Sequence, residues 1–503
     1  MSTEVQRQPL AAVDPQLRQG PSPEQLSRSF LALSSLRLRS HQFLICLLIF
    51  TTILWGSLAR GAFYQLGLVV FLVLAVAAAT AAVVCCRGRL PVVWWGVSAL
   101  PVVIAIVASA VARHELWAAG DALAAVGAAA ALGIAGCAAG ALPGRLVMLR
   151  LVVDVALLTA VLCWLGVAWH IASLAQLLSE GWRAAGPIGY PNATGLVLLL
   201  GLLCACAVAA VSGQTADEVR CWLLATGVLA TQSRSVVLAA VVCAAVLWLT
   251  SPPVARVLGR SSLWALVAFA GLLPSMRGHS YGGLIATAAL AASCCLLLAR
   301  PALVSRLRRR GAVLLAFLAV GAAGLAAVVL HGRILDSGSD NGRIQLWLAA
   351  MGQLRWSGFF GSGPAQAAEL SRGQLITLLT HSDPLQYAQY YGALGVAALL
   401  AIGLRAGFLL AARRNDVPPE MWGTGLSVTI AVTCVMFVDF PLQVPLIPAL
   451  ACLILGAVVG VPEPVPLRAP SPHHSERIPC PCENTVQSQE RPAGCEAPSQ
   501  SIW

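Results

Sequence analysis

The sequence predicts an all-α fold: a polytopic bundle of about 12–14 transmembrane helices, on the rule that about 20 apolar residues cross a bilayer. Three observations predict it. Of 503 residues, 58% are hydrophobic and only 11% are charged, against about 25% charged in soluble domains, so there is too little polar surface to cover a globule in water. The apolar residues fall in long blocks, not in alternating patterns. Basic residues sit in short runs between those blocks, as in loops held against an anionic cytoplasmic leaflet.

All 32 basic residues are Arg, against 21 acidic ones, a net charge of +11. Their placement between apolar blocks argues for a membrane surface and against nucleic acid. The 16 cysteines form no disulfide framework. Most, including Cys46, Cys163, Cys204, Cys243 and Cys434, lie inside apolar blocks and act as small hydrophobes. Cys480, Cys482 and Cys495 in the tail read as unpaired thiols.

The elements follow in order. Residues 1–40 are polar and read as a disordered cytoplasmic arm, with Arg28, Arg37 and Arg39 beside the first span. Residues 41–331 form the first part of the bundle. Its apolar blocks run near 42–59, 64–85, 90–112, 117–139, 150–172 and 190–212, and Arg87, Arg89, Arg145 and Arg150 fall on the cytoplasmic side. The stretch 221–250 reads as two short helices turning at Thr231-Gln-Ser-Arg-Ser235, which returns Arg256 and Arg260 to the cytoplasm. Blocks near 261–274 and 281–299 then lead to Arg300, Arg306, Arg308, Arg309 and Arg310, and another span covers 312–331.

Residues 332–390 are expected to be a large periplasmic loop with short amphipathic helices. In it, Ile344, Trp347, Leu348, Met351 and Leu354 recur at helical spacing and predict one apolar face. Residues 391–461 hold the last spans, near 391–411, 420–438 and 441–461, with Arg413 and Arg414 inside. Residues 462–503 are Pro- and Ser-rich and read as a disordered cytoplasmic tail. The Gly and Ala wealth of 117–140 reads as close helix packing.

Several segments carry a resemblance. Gly189-Tyr-Pro-Asn-Ala-Thr-Gly195 opens a span after an outer loop, and Thr231-Gln-Ser-Arg234 follows. Then come Asn341-Gly-Arg343, Trp347 and Phe360-Gly-Ser-Gly363. His381-Ser-Asp383 with Leu385-Gln386 and Gly392 is next, and Phe437-Val-Asp-Phe-Pro-Leu-Gln443 precedes the last span. In that order, over about residues 185–460, the chain resembles the O-antigen ligase and polymerase superfamily of bacterial membrane glycosyltransferases, which have a GT-C-like helical fold. It departs from the family pattern at Tyr390, where a Glu often follows Leu-Gln.

The resemblance implies an inner-membrane enzyme with both termini cytoplasmic. Its donor would be an undecaprenyl-diphosphate-linked glycan, and its acceptor a glycan, lipid A core or protein. It implies Arg234 and Arg343 as diphosphate-binding residues, where planar guanidinium forks suit phosphate oxygens. His381 would be the general base, since imidazole titrates near pH ~6.5, and Asp383 would orient it. Tyr190, Asn192 and Gln386 are candidate acceptor or supporting residues. Neither a metal nor another cofactor is implied.

Blander readings stand beside these. An Arg at a helix end snorkels to lipid headgroups more often than it binds substrate, and Arg355 and Arg372 read as ordinary surface charges. Asp439 reads first as a cap for the turn at Pro441. Asp154, inside a span, reads as paired with a polar neighbour that the sequence does not name. Asn192-Ala-Thr194 also fits a glycosylation sequon. The alternative function is a membrane transporter of the same superfamily, for inorganic carbon for example. Transporters place charged or broken helices near the midplane, whereas here the polar residues concentrate at one edge.

Overall fold

A computed structural model describes residues 42–85, 92–140, 144–178, 181–306 and 380–460, with short pieces between 346 and 377. The arm 1–40, the span 312–331, Arg343, Arg87, Arg89, Arg355 and the tail 462–503 lie outside the described residues.

The described chain is helical. Its helices are α1 (Gln42–Leu58), α2 (Gln65–Cys85), α3 (Val92–Ala112), α4 (Ala119–Ala139), α5 (Arg145–Ala168), α6 (Pro191–Ser212), α7 (Thr215–Ala230), α8 (Arg234–Thr250), α9 (Pro252–Met276), α10 (Gly282–Arg306), α11 (Asp383–Ala412), α12 (Pro419–Met436) and α13 (Leu446–Val459). Proline marks several starts (Pro191, Pro252, Pro384 and Pro419) because the first turn needs no amide hydrogen bond.

Among the described residues, seven helices (α2 to α6, α9 and α11) are long and apolar enough to cross a membrane. Two stretches form shorter helices. The stretch 221–250 does turn between α7 and α8, giving helices of 16 and 17 residues. The last helix begins at Leu446, not near 441, because Pro441–Gln443 form a 3-10 turn. Its 14 residues cover about 21 Å at 1.5 Å per residue.

Helix α6 lies at the centre, nearly every side chain buried, and packs against α5, α7, α9 and α12. The small residues of α4 serve the close packing expected of them. A Cβ on Gly136 would lie 2.3 Å from the Leu453 carbonyl oxygen of α13, and one on Gly456 would lie 2.3 Å from the Gly133 carbonyl. Backbones this close fit only glycine, and dispersion along the seam replaces the missing side chains. The perimeter is apolar: Val73 of α2, Ile104 of α3, Leu238 of α8 and Leu404 of α11 are all exposed. Such a surface fits lipid better than water.

The helix connections collect at two ends. One end joins Arg150 and Arg220 to Asp217, and brings Arg260 of α9 within 3.9 Å of Glu218. Arg145 reaches the Gly460 carbonyl there. The same pairing leaves Arg260 beside the other arginines, as the hairpin reading of 221–250 expects. Asp154 finds its partner at this end too: Arg220, at 3.6 Å.

The other end carries features the sequence reading missed. Between α5 and α6 runs a two-stranded antiparallel hairpin, β1 (Ala175–Leu178) and β2 (Gly181–Ala184), with Gln176 opposite Arg183. A second hairpin, β3 (Leu370–Arg372) with β4 (Leu375–Thr377), lies in the segment expected to hold only short helices. Strands of three or four residues are too short to show alternation, so both were read as loop. In the helical pieces 346–354, Leu346 and Ala350 are buried while Leu348 and Met351 are exposed. The buried face is therefore rotated from the stripe predicted through Trp347, Leu348 and Met351.

Helix α11 is broken at Gly392 (φ 63°, ψ −148°). The break frees carbonyls, and the Phe360–Gly363 segment fills them. Ser362 donates its amide and its Oγ to the Gln389 carbonyl, at 2.8 and 2.9 Å, and the Gly363 amide donates to the Tyr390 carbonyl. Ser109 of α3 and Arg113 just after it complete the joint on the carbonyls of Tyr390 and Gly361. This gives Phe360-Gly-Ser-Gly363 a structural role: it satisfies a helix broken inside an apolar span.

Candidate functional site

The site forms where the N-termini of α6 and α11 meet the α12–α13 connection, and it is built around Asp439, only 1% exposed. Its carboxylate accepts the Tyr190 hydroxyl at 2.8 Å on Oδ1 and 3.0 Å on Oδ2. Asn192 Nδ2 donates to Oδ2, and the Phe440 amide donates to Oδ1 at 2.9 Å. His381 Nδ1 faces Oδ1 at 3.6 Å. That is ion-pair distance, longer than a hydrogen bond, and among the described residues this buried nitrogen has no hydrogen-bond partner.

Phe440 holds the rings apart and in place. It stacks on Tyr190 with centroids 5.0 Å apart and meets His381 edge-on at 5.0 Å. The His381 ring keeps 26% of its surface, so the pair is shielded but still reachable.

Local sequence explains why His381 points this way. It has φ 53°, a left-handed backbone that non-glycine residues rarely adopt and that surrounding contacts must hold. Those contacts lie on both sides. The Thr380 amide donates to Gln386 Oε1 at 2.8 Å, and Thr380 Oγ1 donates to the Ser382 carbonyl. The Asp383 amide donates to the Asp439 carbonyl at 3.0 Å, while the Leu442 amide donates to Asp383 Oδ2 at 2.9 Å.

The carboxylate that faces His381 is Asp439, whereas Asp383, expected to be its partner, turns to Leu442. Asp383 is the first residue of α11, and its side chain is spent on the 439–442 connection. The capping role first given to Asp439 is also corrected: the Pro441–Gln443 turn has no side-chain cap, and the carboxylate turns toward Tyr190, Asn192 and His381. Gln386 is fully buried and holds the Thr380 amide beside His381.

Arg183, on β2, went unnoticed in the sequence because a lone Arg in an outer loop reads as a surface charge. Its Nε donates to the Thr231 carbonyl at 3.1 Å, and its Nη2 reaches the Gln232 carbonyl at 3.3 Å and Asn192 Oδ1 at 3.4 Å. Two residues further on, Arg234 stands exposed at the start of α8. Thus Tyr190, Asn192 and His381 come together around Asp439, Arg234 sits at the same end of the bundle, and Arg343 lies outside the described residues. Among the described residues no group of three or more His, Cys, Asp or Glu is arranged to hold a metal ion.

The chain matches no protein-family model and no curated protein.

Proposed function

We propose that the protein is a membrane glycosyltransferase that moves a glycan from an undecaprenyl-diphosphate carrier to an acceptor hydroxyl, as an O-antigen ligase or polymerase does. The observation that carries the reading is the His381–Asp439 pair: a buried carboxylate faces an imidazole while its other partners are neutral donors. Such a carboxylate favours the imidazolium that forms when His381 takes the acceptor proton.

In the proposed reaction the acceptor oxygen bonds to the anomeric carbon as the bond from that carbon to the diphosphate oxygen breaks. The hydroxyl proton goes to His381, and undecaprenyl diphosphate leaves with the electron pair. Arg234 and Arg343 grip the diphosphate, whose oxygens gain charge in the transition state. A diphosphate is already a good leaving group, so the proposed chemistry is metal-independent. The acceptor is a glycan, lipid A core or protein.

The bundle lies in the bacterial inner membrane with this site on the periplasmic face and both termini in the cytoplasm. Support comes from Arg145, Arg150, Arg220 and Arg260 at the opposite end, since basic loops stay inside. The test is transfer from a carrier-linked glycan by the full chain reconstituted in liposomes. Wild type is expected to transfer and His381→Ala to lose transfer; an undiminished His381→Ala variant contradicts the assignment.

A further inference from the structure

Helix α7 ends at Ala230 and α8 starts at Arg234, which leaves three residues to reverse the chain. The last carbonyls of a helix have no partner within it and carry its negative dipole end, so a guanidinium is a favourable ligand there. Arg183 supplies one from another element, through Nε to the Thr231 carbonyl and Nη2 to the Gln232 carbonyl. Gln232 is itself left-handed, with φ 51°. It answers the hairpin in return: its Nε2 donates to the Trp182 carbonyl, the neighbour of Arg183 on β2. A strained non-glycine turn is thus held from outside by a strand, in both directions. The same guanidinium reaches Asn192, which bonds Asp439, which faces His381.

We infer that Arg183 is a positioning residue: it fixes the α7–α8 turn, so that Arg234 is presented at a set distance from the His381–Asp439 pair. It does this through carbonyl and amide oxygens of the protein and does not hold the diphosphate. The role rests on the glycosyltransferase reading for its consequence, though not for its geometry. An arginine fork bridges two carbonyls and an amide at once, whereas a lysine ammonium keeps the charge without the planar fork. Arg183→Met should therefore free the turn, and Arg183→Lys should recover part of the order.

The experiment uses the full chain in lipid nanodiscs and reads two quantities on wild type, Arg183→Met, Arg183→Lys and Arg234→Ala. Amide hydrogen exchange in the peptide spanning 229–236 should quicken at least about tenfold in Arg183→Met, the measure of lost local protection, and be intermediate in Arg183→Lys. Transfer from undecaprenyl-diphosphate-linked glycan should show kcat falling about tenfold or more in Arg183→Met with KM little changed, a loss confined to the transition state. Arg234→Ala should show at least the same fall in kcat while exchange at 229–236 stays near wild type. Unchanged exchange in Arg183→Met overturns the inference. So does a loss of transfer like that of Arg234→Ala with the turn still protected, which would make Arg183 a direct ligand of the diphosphate. If wild type transfers nothing, the glycosyltransferase reading fails while the exchange arm still decides whether Arg183 holds the turn.

Discussion

Asp439 and Asp217 are both 1% exposed, and both tie helices together, yet the two ends of the bundle treat them in opposite ways. Asp217 is surrounded by cations and a hydroxyl: Arg220 at 2.7 Å, Arg150 at 3.4 Å and Ser212 at 2.6 Å. Its charge is used up locally, by residues on the adjoining helices α5, α6 and α7. Asp439 draws on segments far apart in sequence and receives neutral donors from Tyr190, Asn192 and the Phe440 amide. Neutral donors stabilise a carboxylate without cancelling its charge, so Asp439 keeps a field for His381. The first arrangement fastens helices, and the second leaves charge for chemistry.

The largest expected effect separates the two ends by activity. His381→Ala should lower transfer by about 10²–10⁴-fold, the usual worth of a general base. Asp217→Asn, measured per folded protein, should stay within about threefold of wild type, a difference of under about 1 kcal/mol. Equal losses at the two positions would break the comparison. Next, Asp439→Asn removes the charge and keeps nearly the same shape. Transfer should fall on the order of 10²-fold with little change in the thermal melt of the detergent-solubilised protein, and a lowered melt with normal transfer would reverse the roles of the ends.

A smaller effect is expected on stability alone. Asp217→Ala strips the charge that Arg150 and Arg220 share, and should cost about 1–3 kcal/mol, as for hydrogen bonds to charged groups, read as an earlier melt. The smallest belongs to Asp154, whose pair with Arg220 is 44% exposed on the acid side. Asp154→Asn should change stability by about 1 kcal/mol or less; a larger loss would mean that the far-end network acts as one unit.

Much of the bundle was legible in the sequence because long apolar blocks obey one rule, the need to satisfy every backbone group in lipid. Thr231-Gln-Ser-Arg234 was legible as a turn, and Gly133 to Gly140 as a packing stripe, for similar local reasons. The site was only partly legible. Tyr190, Asn192 and His381 were marked by motif order, but the carboxylate that unites them sits 249 residues from Tyr190, and no local pattern records such a pairing. Asp383 is two residues from His381 and looked the natural partner. The left-handed backbone at His381 instead turns the chain so that Asp383 faces Leu442. Arg183 was invisible because two of its partners are main-chain carbonyls, which leave no trace in residue types.

The most direct test is a double-mutant cycle on transfer from carrier-linked glycan by the reconstituted full chain, with His381→Ala, Asp439→Asn and the pair combined. If Asp439 acts through His381, the double variant should be no slower than His381→Ala alone, because the partner that the carboxylate serves is already gone. Losses that multiply would show the two groups acting independently and contradict the account.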